Sequence, residues 1–267
     1  MSINFQWHAS SISGSKKLKN EDSWAIFSAG SNDSENLSPT GNFNNEQQDI
    51  IFAISDGMGG GNAGHLASKL ILEHIANIIP QTFRAEAQGL YPNHLEQLEL
   101  AIENIHHTIN QTAEATPAHK GMGATLSLAW FTPENLYIAH IGDSRIYLHR
   151  DLTTTQLTLD HTLVWKKLQR AEITEMQYRS HPRRSVLFQV IGAGHRNAKP
   201  QITSIPYQKG DKFMLCSDGI IDGTWQKNIH SAFLNEDSPS KTHDTILNQA
   251  IENAGTDDTT IITLQLS

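Results

Sequence analysis

Short apolar runs recur along the chain, and they end at Gly, Asp or Pro. Trp24–Phe27, Ile50–Ile54, Thr125–Phe131, Leu136–Ile141, Ile146–His149, Lys212–Cys216 and Thr260–Leu266 are rich in Ile, Leu, Phe and Thr and predict strands. Two segments carry the period of a helix instead. Ala63–Ile79 places Leu66, Leu70, Ile71, Ile75 and Ile78 at helical spacing. Asn93–Ala115 opens with an N-cap at Asn93 and carries Leu95, Leu98, Ile102, Ile105 and Ile109 on one stripe. Strands, then two consecutive helices, then a run of strands is not the alternation of a parallel sheet. It predicts an α+β layered fold with mainly antiparallel sheets.

Two polar stretches interrupt this pattern. Ser28–Asp49 is rich in Asn, Ser, Gly and acids, has almost no apolar residues, and reads as a long mobile loop inserted between two strands. Thr155–Gly194 is irregular and polar, with short helical pieces. No internal repeat is visible, and neither side of the Ser28–Asp49 stretch makes a domain alone, so residues 1–267 are expected to form a single domain.

Composition narrows the classes. Hydrophobic residues at 38% and charged residues at 18% suit a soluble globular protein with a sizeable core. The N-terminal MSINFQWHAS has neither a basic start nor an apolar run, and the longest apolar stretches fall well short of the roughly 20 residues of a membrane span. The single cysteine, Cys216, allows no internal disulfide. A cytoplasmic protein without membrane contact is expected. The formal charge of −8 argues against a nucleic-acid partner, which needs a basic face.

The acids sit at particular places. Asp56 follows the strand Ile50–Ile54 in SDGMGGG, Asp143 follows Leu136–Ile141 in IGDSR, and Asp218 follows Lys212–Cys216 in CSDG. Glu21 and Asp22, in KNEDSW, precede a strand, as does Asp257 in GTDDTTIITL. In antiparallel sheets the end of one strand lies beside the start of its neighbour, so all of these can fall on one edge. A glycine beside Asp56, Asp143 and Asp218 lets the backbone turn tightly and approach a ligand. A lone Asp-Gly after a strand is usually only a turn, but coordinated instances are a different matter. Clustered carboxylates raise one another's pKa values, and divalent cations resolve that repulsion. Oxygen donors without thiolate or imidazole favour Mg²⁺ or Mn²⁺, and a pair of such ions suits in-line attack on phosphorus.

These residues reach a known family. KNEDSWAIF, FAISDGMGGGNAG, GATLSLAW, IAHIGDSRIYLHR, LTLDHT, VIGAG, FMLCSDGI and GTDDTTIITL occur in order from about residue 14 to the C-terminus. With them the chain resembles the type 2C, or PPM, metal-dependent protein serine/threonine phosphatases, in particular their compact bacterial members. The resemblance implies a four-layer αββα fold, a sandwich of two antiparallel sheets flanked by helices. It implies hydrolysis of phosphoserine and phosphothreonine by a metal-bridged hydroxide. Two tightly bound Mn²⁺ or Mg²⁺ ions are implied, with a possible third. Asp56 would bridge both metals and the Gly57 carbonyl would bind one. Asp218 and Asp257 would hold the other. Glu21 and Asp22 would support the site directly or through water, and Asp143 would belong to a third, weaker site. Partners would be phosphorylated proteins, substrates of a serine/threonine kinase. The Thr155–Gly194 region matches the family's variable flap beside the site. The rival function is an inactive pseudo-phosphatase serving as a binding module. Retention of the full acid set speaks against it, because unused clustered carboxylates are costly. A weaker enzymatic rival is a phosphodiesterase or small-molecule phosphatase using the same metals.

The chain departs from the family pattern in three places. Lys17 stands where an Arg commonly binds substrate phosphate, and it supplies charge without a planar fork. Asp257-Asp258 replaces the usual Asp-Asn, with the register favouring Asp257 as ligand and Asp258 of unassigned role. Met58 stands where some relatives carry a His.

Other signals point elsewhere. Gly59–Gly64 matches G-x-G-x-x-G, but a dinucleotide fold needs a second parallel strand about 20 residues on, where the helix instead meets Pro80. Cys216 has no Arg at the spacing of a cysteine phosphatase and reads as a buried small residue. The 14 histidines read as mostly exposed with a few satisfied in the core, and Arg183-Arg184 reads as a salt-bridging pair.

Overall fold

The computed structural model describes residues 3–30, 34–46, 48–59, 62–87 and 93–267. In chain order the elements are β1 (Asn4–Ile12), β2 (Asp22–Ala29), β3 (Ser34–Asn36), β4 (Thr40–Asn44), β5 (Asp49–Met58), α1 (Ala63–Ala87) and α2 (His94–Ala115). There follow β6 (Gly123–Ala124), β7 (Leu126–Phe131), β8 (Leu136–Ile141), β9 (Arg145–Arg150), β10 (Thr153–Gln156), α3 (Leu163–Gln169), α4 (Glu175–Arg179) and β11 (Ile191–Gly192). The chain closes with β12 (Gln201–Ile205), β13 (Lys212–Cys216), α5 (Asp218–Gly223), α6 (Gln226–Asn235), α7 (Pro239–Ala254) and β14 (Thr259–Leu266).

The strands make two sheets. One runs β10-β9-β13-β14-β1-β4, and the other β12-β8-β7-β5, with β2 and β3 beyond β5 and the short β6 and β11 at its end. Every described ladder is antiparallel. Alternation sorts the side chains. On β5, Ile50, Phe52 and Ile54 point between the sheets with Phe5, Trp7, Phe131, Phe213 and Leu264. Ile51 and Ala53 point the other way, under Ala67, Ile71, Ile75 of α1 and Ile102, Ile105 of α2. Burial on both faces is why Ile50–Ile54 reads as an unbroken apolar run. On the far side of the other sheet, α5, α6 and α7 cover Met214, Cys216 and Ile261. The order helices, sheet, sheet, helices is the αββα arrangement. Each fully buried large side chain contributes roughly 1.5–3 kcal/mol.

Local chemistry explains several boundaries. Asn93 caps α2 by accepting from the Leu95 N–H at 3.1 Å. Helix α1 passes the expected stop at Pro80 and runs to Ala87. Proline cannot donate to the carbonyl four residues back, and there the Ser34 hydroxyl donates to Ala76 O at 3.3 Å. The stretch Ser28–Asp49, expected as one loop, is a correction. It contains β3, paired with β2, and β4, paired with β1, with Leu37 and Phe43 packed on the sandwich core. Residues 31–33 and 47 of it lie outside the described residues, as do Gly60 and Gly61 of the glycine run. Backbone pairing to existing sheet edges holds these strands, not their own apolar content. The antiparallel neighbours of β5 also remove the dinucleotide reading, which needs a parallel crossover. Among the described residues no helix is long and apolar enough to cross a membrane.

Candidate active site

Both sheets deliver acids to one edge of the sandwich. In the pairing of β2 with β5, Asp22 lies opposite Asp56. Asp143 follows β8, Asp218 follows β13, Asp257 precedes β14 and Glu21 precedes β2. Glu21, Asp56, Asp143, Asp218 and Asp257 line a single cleft of about 280 Å³, together with Lys17, Gly57 and Met58. A larger cleft, about 520 Å³, opens over Trp24, Ala25 and Leu72 and holds only Asp22 of these acids. Volume does not mark the chemistry here; convergent charge does.

Burial and mutual repulsion strain this cluster. Asp56 is pushed well above the usual carboxylate range by burial and by the charges of Asp22, Asp218 and Asp143. Asp218 is pushed well above it by burial and by Asp143, Asp222 and Asp257. Burial and the Asp160 charge raise Asp143 to about 7, against the opposing pull of Arg145. Burial raises Asp22 to about 6, although hydrogen bonds from Thr260 and Ser217 hold it down.

Neighbouring hydroxyls and backbone groups fix the acids in place. Asp22 Oδ2 accepts from Ser217 Oγ at 2.7 Å and Thr260 Oγ1 at 2.6 Å, which ties β2 in one sheet to β13 and β14 in the other. Asp56 is clasped by Thr125: its N–H donates to Thr125 Oγ1 at 2.9 Å and its carbonyl accepts the Thr125 N–H at 2.9 Å. A Cβ at Gly57 would run into the carbonyl oxygens of Gly64 and Glu21, so only glycine permits this approach of β5 to α1. Two buried carboxylate oxygens, Glu21 Oε1 and Asp22 Oδ1, have no hydrogen-bond partner among the described residues. A buried acceptor without a partner costs about 1–3 kcal/mol, more when charged. An oxygen-only donor set with surplus negative charge and orphaned acceptors fits hard divalent cations such as Mg²⁺ or Mn²⁺.

The neighbouring aspartates 257 and 258 have different places. Asp257 is half-exposed in the cleft, 2.9 Å from Lys17 Nζ. Asp258 is buried, and its Oδ1 accepts the Gly14 N–H at 2.9 Å while its Oδ2 accepts the Glu21 N–H at 2.7 Å. Asp258 thereby fastens both ends of the segment that carries Lys17. An asparagine offers one acceptor oxygen, so it could not repeat both contacts. Lys17 also lies 3.5 Å from Glu21 Oε2. Partial burial alone would lower its pKa, but the hydrogen bond to Asp257 and the charges of Asp257, Asp258 and Glu21 raise it above the usual lysine value. Lys16 and Lys19 are exposed.

Sequence reading passed over Thr125, Ser217, Thr260, Asp160 and the role of Asp258. Ser217 and Thr260 are hydroxyl residues inside the acid motifs and Thr125 lies in GATLSLAW, a signal that was available. Their partners come from other strands, so pairing had to be known first.

The Thr155–Gly194 stretch holds α3, α4 and β11 between irregular segments. Val164, Trp165 and Tyr178 form a small cluster of their own. Arg145, beside the site, anchors it through a fork to Asp160, with Nε–Oδ1 at 2.9 Å and Nη2–Oδ2 at 2.7 Å. Tyr178 also donates to Asp160 Oδ2 at 3.0 Å. Further on, Arg184 pairs with Asp222 through both guanidinium nitrogens, and Ser185 and Leu187 line the cleft. Cys216 is buried on β13, and burial pushes its thiol up to about 12, which suits a core residue and not a nucleophile.

The family model described as Protein phosphatase 2C matches residues 40–255. The serine/threonine protein phosphatase PstP of Mycobacterium tuberculosis is 32% identical over 212 residues, which cover 79% of this chain and 39% of that protein. The chain thus spans about two fifths of the length of that relative. The serine/threonine phosphatase stp of Listeria welshimeri is 29% identical over 228 residues, covering 84% of this chain and 88% of the relative. A crystal structure of the catalytic domain of PstP, in complex with two manganese ions, superposes with a TM-score of 0.77 at 26% identity and covers 99% of both chains.

Proposed function

The chain belongs to the protein phosphatase 2C family, and from that premise we propose that it hydrolyses phosphoserine and phosphothreonine in proteins, using divalent metal ions. The observation that carries the proposal is the convergence of Glu21, Asp56, Asp143, Asp218 and Asp257 in one cleft, beside carboxylate oxygens of Glu21 and Asp22 that no group among the described residues satisfies.

Asp56 and the Gly57 carbonyl would hold one ion, and Asp218 and Asp257, with Asp56, a second; Glu21 and Asp22 would support the pair, and Asp143 would serve a third, weaker position. Mn²⁺, the ion named for PstP, or Mg²⁺ fits this donor set. When bound, such ions lower the pKa of a coordinated water and neutralise charge on the phosphoryl group. The protein's own part is placement. Thr125 fixes the Asp56 backbone, and Ser217 and Thr260 occupy one oxygen of Asp22, leaving the other without a partner among the described residues. Lys17, 2.9 Å from Asp257 Oδ1, would bind the substrate phosphate. Ser185 and Leu187, on the flap that spans about residues 155–194, border the bound peptide and select it. The substrates are phosphoproteins made by a serine/threonine kinase, and a reducing cytoplasm suits the buried, unpaired Cys216.

The test is turnover of a phosphothreonine peptide with added Mn²⁺, with and without chelator, beside a small phosphate ester. Turnover that needs Mn²⁺ and favours the peptide is expected. Equal rates with chelator would remove the metal assignment, and no turnover under any metal would leave a binding module.

A further inference from the structure

Strand β1 and helix α7 meet on the outer face of the six-stranded sheet, away from the acid cleft. The second half of α7 packs apolar side chains onto the neighbouring strands β13 and β14, with Ile246, Leu247 and Ala250 against Met214, Cys216 and Ile261. The first half of α7 lies over β1 and is polar. There α7 buries His243, 2% exposed, against the side of β1 that carries His8 and Ser10. An apolar side chain would fill such a position at lower desolvation cost, so two imidazoles call for a reason.

The geometry offers one. The His8 and His243 rings stack, with centroids 4.1 Å apart and 26° between their planes. His243 Nδ1 lies 2.9 Å from Asp244 Oδ1, and its Nε2 lies 2.8 Å from Ser10 Oγ. His8 Nδ1 lies 3.2 Å from Ser240 Oγ. One nitrogen of each ring and one Asp244 oxygen all fall within 4.8 Å of one another. Among the described residues this is the one such group of His, Cys, Asp and Glu.

We propose that His8, His243 and Asp244 bind a divalent transition-metal ion of the zinc class, at a site separate from the carboxylate cleft. Two imidazoles and one carboxylate are a donor set for Zn²⁺, Co²⁺ or Ni²⁺, where the oxygen-only cleft suits Mn²⁺ and Mg²⁺. The ion replaces the proton between His243 Nδ1 and Asp244. Nε2–H of His243 then donates to Ser10 Oγ, which fixes the tautomer and the ring plane from behind. His243 is buried, while His8 is half-exposed and Asp244 exposed. Water or Ser240 Oγ completes the tetrahedron. The ion would staple the strand near the chain start to a helix near its end and stabilise the folded state by mass action.

The site is tested by titrating Zn²⁺ into the full chain kept in excess Mn²⁺, and into His8→Asn and Asp244→Asn, whose side chains are accessible enough to change without loss of fold. Wild type should take up one Zn²⁺ with a rise in melting temperature. Each variant should bind it at least about tenfold more weakly, while phosphopeptide turnover stays at the wild-type level. Co²⁺ should give the visible absorption of a tetrahedral site in wild type, lost in His8→Asn. Zn²⁺ uptake of equal stoichiometry and affinity in wild type and His8→Asn would overturn the proposal. So would imidazole ¹⁵N resonances of His8 and His243 that Zn²⁺ leaves unmoved; the pair would then be a hydrogen-bonded packing contact only.

Discussion

Asp143 and Asp160 are both buried aspartates near the same arginine, and they stand in opposite circumstances. Asp160 holds the guanidinium fork of Arg145 and accepts further hydrogen bonds from Tyr178 Oη at 3.0 Å and Gln156 Nε2 at 2.9 Å. Its charge is answered within the protein. Asp143 precedes Arg145 by two residues, yet that cation is committed to Asp160, and burial with the Asp160 charge raises the Asp143 pKa to about 7. Asp56 and Asp218 are placed still more severely, each surrounded by other acids. A buried acid with its own cation builds the fold. A buried acid among acids has a charge that its neighbours oppose.

The same substitution should therefore have opposite consequences in the two regions. In the cleft, Asp56→Asn or Asp218→Asn removes a repelled charge and a proposed metal ligand. Phosphopeptide turnover should fall by at least about a thousandfold, a loss of several kcal/mol of transition-state stabilisation. The metal-free melting temperature should rise, and the increment that Mn²⁺ adds should disappear. Near-wild-type turnover in either variant would end the assignment.

Asp160→Asn should do the reverse. It leaves the Arg145 guanidinium buried without its carboxylate, at a cost of roughly 3–5 kcal/mol. Urea unfolding should show that loss with and without Mn²⁺, while calorimetry still counts the same tight ions. A variant as stable as wild type would mean that water reaches Arg145 and that the pair carries little.

The smallest effect falls between the two regions, at Lys17, which is paired with Asp257 but lies at the cleft mouth. A charge-assisted contact to phosphate is worth roughly 1.5–3 kcal/mol, so Lys17→Ala should lower kcat/KM by about ten- to a hundredfold. Lys16→Ala, on an exposed neighbour, should change it little. Lys17→Arg should hold or improve turnover, since a planar fork suits phosphate. Equal behaviour of the Lys16 and Lys17 alanine variants would reduce the run to a basic patch.

Much of this was open to reading along the chain. The runs Leu136–Ile141 and Lys212–Cys216 coincide with β8 and β13, and the N-cap at Asn93 opens α2. Strand β1 went unread although Phe5, Trp7 and Ala9 alternate inward with polar residues, the period that marks a strand. The signal was present there. For β3 and β4 it was not: SEN and TGNFN carry little apolar content, and they are strands because β2 and β1 offer free edges.

The sequence by itself determined which residues carry charge and where along the strands they sit, because an acid at a strand end is a local fact of composition and period. The motif order alone was enough to identify the family. Only the tertiary structure decided how those charges are answered. Asp257 and Asp258 are adjacent and identical in type, yet one faces the cleft and the other ties down the Gly14 and Glu21 backbone. His8 and His243 lie far apart in the chain and stack across β1 and α7. Arg145 serves Asp160 and not its near neighbour Asp143. In each case the deciding quantity is the distance between groups remote in sequence, or the face a strand turns to its partner. Local pattern carries no information on either until the sheets have paired.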